Sequence, residues 1–168
     1  MACRGLGVHQ DGAFTGLADR LGLDLDDPAG FRDWVEALLR TADLSEDLTD
    51  DLVPATNLWI VEGDAYLGAI QLRYRLNPFL TEIGGHVGFG VRLSARRRGV
   101  AHLALDAVLA RARRLGMSRL LLTCDDTNTG SARTIGGCGG VLEGIRQPDH
   151  FSRSHGFHRP LRRYWITL

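Results

Sequence analysis

The run Arg96-Arg97-Arg98-Gly99-Val100-Ala101 separates two segments of different periodicity, and it constrains the fold more than any other stretch of the chain. Upstream, Gly85-His86-Val87-Gly88-Phe89-Gly90-Val91 reads as a short extended segment. Downstream, Ala101, Ala104, Leu105, Val108, Ala112 and Leu115 recur at helical spacing. The arginines therefore sit where a strand hands over to a helix N-terminus. Backbone N–H groups without intrahelical partners and the positive end of the helix dipole converge at such a junction. A glycine there lets an anion approach the backbone, and arginine forks onto phosphate oxygens. The pattern is that of a pyrophosphate site. It is not a P-loop, because no Gly-Lys-Ser/Thr follows, and no Gly-x-Gly-x-x-Gly opens the helix.

The rest of the chain supplies the surrounding layers. A length of 168 residues with 44% hydrophobic residues suits one domain over 1–168 with an adequate core. Residues 13–22 and 29–41 read as helices, the second opened by Asp26-Asp27-Pro28. Residues 42–53 read as an acidic linker. Leu58-Trp59-Ile60-Val61, the turn Glu62-Gly63-Asp64 and the run 66–74 form a hairpin, and after Asn77-Pro78 a strand leads to Arg92. The long helix closes at Arg113-Arg114-Leu115-Gly116, with cations in its last turn and a glycine beyond. A buried strand over 117–124, a helix after Asn128, and the segments 140–143 and 162–166 complete an α+β order with a mixed sheet.

This arrangement resembles the GNAT N-acetyltransferase superfamily. Arg96, Gly99 and Ala101 match its Gln/Arg-x-x-Gly-x-Gly/Ala motif at the strand-to-helix junction, and Asn128, Ser131 and Gly139 match the Asn, small residue and glycine of its next helix. The resemblance covers roughly residues 54 to 168 and is closest to a bacterial subgroup with similar Leu-Leu-Thr-Cys-Asp-Asp and Arg-Tyr-Trp-Ile segments. It implies a central, mostly antiparallel mixed sheet flanked by helices, with a bulged strand splayed from its neighbour to hold CoA. It also implies acetyl-CoA as cosubstrate and transfer of its acetyl group to a primary amine of a small molecule or peptide by direct attack in a ternary complex. Val91, Arg92, Leu93, Arg96, Arg97, Arg98, Gly99, Val100, Ala101, His102, Asn128 and Ser131 are the implied cofactor-binding residues, and a backbone N–H near Gly90 or Val91 would face the thioester oxygen. Two departures stand out. Only residues 1–10 are left for the family's first strand, which would be short or absent, and Gly136 and Gly137 weaken the end of the helix after Asn128.

The chemistry requires an amine free of its proton and a way for the thiolate to leave. His86 is the first candidate for the base, with a plain hydrogen-bonded sheet histidine as the alternative. Glu82, four residues earlier and on the same face of a regular strand, is the second. The tyrosine that many family members use as the acid is replaced by Ile135, which leaves Ser131 as the candidate proton donor unless the thiolate departs unprotonated. Tyr74 and Trp165 are candidates to line the acceptor cleft or to pack in the core. The three cysteines form no CxxC pair, and Cys124 reads as a small buried hydrophobe. No metal site is expected, even from the histidines of the loop 150–159, which reads as a flexible wall of the acceptor cleft.

Charge is sorted along the chain although the net is zero. Residues 11–64 hold fourteen Asp/Glu against three Arg, and residues 92–168 hold fourteen Arg against five Asp/Glu. The basic half carries the proposed phosphate site, and the acidic half could draw a cationic acceptor. A non-catalytic acyl-CoA-binding module is the second reading. Nucleic-acid binding ranks last, because no basic stripe is interleaved with aromatics. No apolar stretch suits a membrane span or signal peptide, so a cytoplasmic location is expected, and a homodimer is a family-level expectation.

Overall fold

The computed structural model describes residues 12–43 and 52–168. The question of a first strand in residues 1–10, Cys3 and most of the acidic linker lie outside the described residues.

Two helices open the described chain, α1 (Gly12–Leu21) and α2 (Pro28–Thr41). Asp27 starts α2, its Oδ2 accepting the Gly30 N–H at 2.9 Å, and Pro28 occupies the first turn, where no N–H is needed. Residue 30 must be glycine for space: a Cβ there would lie 2.2 Å from the Asp24 carbonyl oxygen. The pair closes over Ala18, Trp34 and Leu38.

The remaining elements form two antiparallel three-stranded sheets. Strands β1 (Ala55–Glu62), β2 (Ala65–Arg73) and β3 (Val87–Val91) lie in that order, and β4 (Arg119–Asp125), β5 (Val141–Arg146) and β6 (Leu161–Thr167) lie in the order β4-β6-β5. Helix α3 (Val100–Arg114) crosses from β3 to β4, α4 (Thr129–Gly137) joins β4 to β5, and a short α5 (His150–Ser154) precedes β6. The 3.6-residue apolar repeat of α3 buries Leu105, Val108 and Ala112 against Ile70, Leu72 and Val87 of one sheet and Leu120, Leu122, Tyr164 and Ile166 of the other. One core thus spans both sheets. This is the α+β order with flanking helices expected from the sequence, with the single mixed, mostly antiparallel sheet of that expectation divided into two antiparallel ones.

The sheets meet along β3 and β4, which share no ladder. Their edges are joined where the His86 N–H donates to the Leu121 carbonyl at 2.7 Å and the Leu121 N–H donates to His86 Nδ1 at 2.8 Å. Gly85, at φ +66°, allows this approach, since a Cβ there would stand 2.6 Å from the Leu121 oxygen. Past this point each strand follows the twist of its own sheet, and a gap opens toward Val91.

Three expectations change. No bulge interrupts β3, whose register with β2 is continuous from Leu72–Val87 to Gly68–Val91, so the gap comes from the two independently paired sheets. Glu82 is not in a strand. It lies in a single π-helical turn, Leu80–Gly84, begun by the Asn77 side chain accepting the Leu80 N–H at 2.9 Å and fixed by burial of Leu80 and Ile83. Its parity with His86 is therefore lost. Finally, α4 runs through Gly136 and Gly137, so the glycines do not shorten it.

Candidate functional site

The junction ahead of α3 has two left-handed residues. Arg97 has φ +63°, the one positive value outside glycine among the described residues, and Gly99 has φ +78°. Gly99 caps α3 without a side chain to accept a hydrogen bond, so the N–H groups of the first turn are left to an external acceptor or solvent. Alternating backbone handedness of this kind turns successive N–H groups toward a common point.

A cavity of about 410 Å³ opens at this place. Phe89 and Val91 supply its β3 wall, and Arg96, Arg97, Gly99, Val100, Ala101 and His102 its floor. The opposite wall is α4 and its cap, with Asn128, Gly130, Ser131, Arg133 and Thr134. Nine of the implied cofactor residues are therefore brought together. Arg92, Leu93 and Arg98 are not among the lining residues. Arg92 Nη1 donates to the Tyr66 carbonyl at 3.1 Å, and Leu93 is 68% exposed. Arg98 reaches back from the left-handed step to the end of β1, where Nη2 contacts both Glu62 carboxylate oxygens at 2.7 and 2.9 Å. That hydrogen bond and the carboxylate charge hold its guanidinium above the usual arginine range.

Phe89, Ala95, Gly130, Arg133 and Thr134 also line the cavity and were not singled out from the sequence. The signal was present for most of them. Phe89 shares a strand face with Val91, and Gly130, Arg133 and Thr134 fall at helical spacing around Ser131.

The free edge of β3 can be assigned from its register. The Arg92 N–H donates to the Leu67 carbonyl at 2.9 Å, which makes Leu67–Arg92 a bonded pair, and bonded pairs alternate along an antiparallel ladder. Gly88 and Gly90 therefore turn their N–H groups toward β2, whereas Phe89 and Val91 turn theirs toward the gap. The Val91 carbonyl on that side accepts Arg96 Nε at 3.0 Å.

Asn128 caps α4, its Oδ1 accepting the Ser131 N–H at 3.0 Å, which fixes both residues against the cavity. Ile135 is fully buried in the core, so that position offers no acid. Cys124 is also in the core, where burial pushes its thiol up to about 11.

His86 is buried, and its Nδ1 is the acceptor for Leu121. A neutral imidazole that accepts at Nδ1 carries its proton on Nε2. Burial lowers the pKa to about 4, and the charges of Arg73 and Arg119 act in the same direction. Glu82 is ion-paired with Arg146 of β5. Tyr74 is turned away from the gap: its hydroxyl meets Thr56 and receives Arg111 Nη2 at 3.4 Å. Trp165 instead donates from Nε1 to Glu143 at 2.9 Å beneath Arg119, 4.3 Å from the ring centroid. Arg163 donates to the same carboxylate at 2.6 Å, and these bonds hold Glu143 below the usual carboxylate range. In the 150–159 segment, His155 stacks between Phe79 and Phe151, and Phe157 also packs on Phe79.

Known proteins share this plan. The family model described as an acetyltransferase (GNAT) domain matches residues 18–141. No curated protein matches the sequence. Among solved structures, the ribosomal-protein-alanine N-acetyltransferase from Brucella melitensis is similar with a TM-score of 0.60 at 16% identity, over 84% of this chain and 79% of that one. The yncA protein from Salmonella typhimurium, solved with its cofactor acetyl-CoA, gives 0.58 at 16% identity, over 84% and 74%. The microcin C7 self-immunity acetyltransferase MccE, in complex with acetyl-CoA and AMP, gives 0.54 at 18% identity. That match covers 68% of this chain, which spans 61% of the MccE chain.

Proposed function

The chain belongs to the GNAT acetyltransferase family, and from that premise we propose that it transfers an acetyl group from acetyl-CoA to a primary amine of a small molecule or peptide. The observation that carries this reading is the continuity of one cavity from the arginine-flanked N-terminus of α3 to the unpaired edge of β3. The first suits a pyrophosphate, because backbone N–H groups, helix dipole and Arg97 converge there. The second suits the amide-bearing arm of CoA, which can bond to an open strand edge as another strand would. Acetyl-CoA complexes of similar folds support the same cosubstrate.

In the proposed reaction the acceptor nitrogen attacks the thioester carbon, the C–N bond forms, and the carbonyl oxygen becomes an oxyanion. The Val91 N–H, turned to the gap, stabilises that charge. Collapse breaks the C–S bond, and the Ser131 hydroxyl donates a hydrogen bond to the departing thiolate, which takes its proton from solvent. His86 is assigned to holding the seam, because neither ring nitrogen of its neutral form offers a lone pair to an ammonium. Glu82 is assigned to tying the π turn to β5 through Arg146. The acceptor's proton then passes to water, and kcat/KM climbs with pH as the amine itself deprotonates.

The test is release of free CoA thiol across a panel of amines. Amine-dependent turnover whose pH profile follows the acceptor supports the reading, and a profile governed by one enzyme group near pH 6.5 and lost in His86→Gln overturns the assignment of His86. A second reading, an acyl-CoA-binding module without catalysis, is favoured by Ile135 in the tyrosine position. It predicts acetyl-CoA binding with no turnover on any amine. No helix among the described residues is long and apolar enough to cross a membrane.

A further inference from the structure

On the outer side of the cavity floor, α3 and the end of α4 bring together three side chains of different metal-ligand types. His102 and Asp106 are one turn apart on α3, with His102 Nε2 3.4 Å from Asp106 Oδ2. Cys138 follows the last turn of α4, and its Sγ lies 3.4 Å from His102 Nδ1. The three donor atoms fall within 4.8 Å of one another. Tetrahedral zinc, with metal–nitrogen and metal–oxygen bonds near 2.1 Å and metal–sulfur near 2.3 Å, holds its ligands about 3.4 to 3.6 Å apart. The sulfur–imidazole pair already has that spacing, and Asp106 needs one rotation of an exposed side chain to join it.

The backbone is shaped to the imidazole. A Cβ at Gly137 would stand 3.2 Å from His102 Cε1 and 3.4 Å from Nδ1, so glycine lets the ring lie against the end of α4. Gly136 has nothing within 4 Å, and of the two glycines that weaken this helix only the second has this contact. His102 and Asp106 stand on α3 and Cys138 caps α4, and both helices pack on the common core, which holds the backbones of the three residues close before any ion arrives.

We propose that His102, Asp106 and Cys138 form a site for a zinc-class divalent cation, with water as its fourth ligand, bridging α3 to α4. A thiolate and a carboxylate balance the charge of the ion, and the soft sulfur with the imidazole selects zinc or cobalt over magnesium or calcium. His102 also lines the cavity, so the ion would brace its floor. No metal is expected from the sequence, in which the cysteines form no CxxC pair and the histidines of the 150–159 loop match no zinc spacing; His102 and Cys138 stand 36 residues apart and meet only in the fold. This site does not depend on the proposed acetyl transfer.

The experiment is titration of tag-free protein with cobalt(II) as a spectroscopic probe, followed by competition with zinc. The expected result is a near-ultraviolet sulfur-to-cobalt charge-transfer band that saturates at one ion per chain, is displaced by zinc and disappears in Cys138→Ser. Asp106→Asn, a surface change that keeps the thiol, should weaken binding about tenfold or more, in line with loss of one ligand or its support. Zinc should raise the thermal midpoint of the parent, raise that of Asp106→Asn by less, and leave that of Cys138→Ser unchanged. Absence of the band in the parent, or its survival in Cys138→Ser, overturns the proposal. Acetyl-CoA binding measured on metal-free Cys138→Ser separates this outcome from failure of the cofactor reading, since that variant leaves the cavity lining intact.

Discussion

The Leu121 N–H points at a buried imidazole, and that contact decides what His86 can do. Removing the acceptor in His86→Ala leaves a buried donor unpaired, with an expected loss of about 1–3 kcal/mol by denaturant unfolding. The pH dependence has a definite sign. The native state holds His86 neutral down to about 4, whereas the unfolded chain titrates near 6.5, so unfolding takes up a proton between these values. Stability is therefore complete above pH 6.5 and falls as pH drops toward 4, by about 3 kcal/mol for a shift of this size. His86→Gln should flatten that part of the curve, and an unchanged slope would contradict the assignment. Ser131→Ala should lower kcat while leaving acetyl-CoA affinity nearly unchanged, checked by steady-state kinetics and titration. An undiminished kcat would remove Ser131 from the mechanism. His86 was readable from the sequence as a residue of interest but not as a seam, because its partner is 35 positions away and the contact depends on Gly85.

The β3–α3 junction separates three adjacent arginines into three roles. Arg97 stands in a left-handed step on the cavity, Arg96 bonds the Val91 carbonyl, and Arg98 is held by Glu62. Arg97→Ala should weaken acetyl-CoA by about tenfold or more, the equivalent of one charge-assisted hydrogen bond, whereas Arg98→Ala should change affinity by much less. Calorimetry on the pair checks this, and equal losses would contradict the division. The repeat of α3, the Asp27-Pro28 start of α2 and the hairpin around Gly63 were legible because each rests on local spacing and capping. The π turn was not. Its residues Thr81-Glu82-Ile83 read as the start of a strand, and only burial of Leu80 and Ile83 with the Asn77 cap turns them.

Two sheets share one core beneath α3 and part along a seam, and this division makes room for a ligand. Element order gives the strands and helices but a single mixed sheet where the structure has two antiparallel ones, while the junction motif and Asn128 fall on two walls of the cavity. It did not predict why the sheets part, because a bulge and an unpaired edge look alike in a sequence. Glu82 is paired with Arg146 and Glu143 with Arg163, and neither carboxylate is among the residues that line the cavity. The N-terminus of α3 is the proposed site for the pyrophosphate of acetyl-CoA. Isothermal titration with acetyl-CoA on the wild type, Gly99→Ala and Gly99→Glu tests it most directly. Both substitutions strain a residue at φ +78°, but only the second places a carboxylate beside the phosphates. The expected result is saturable binding by the wild type, a modest loss in Gly99→Ala and abolition in Gly99→Glu. No binding by the wild type, or equal affinity for all three proteins, would contradict it.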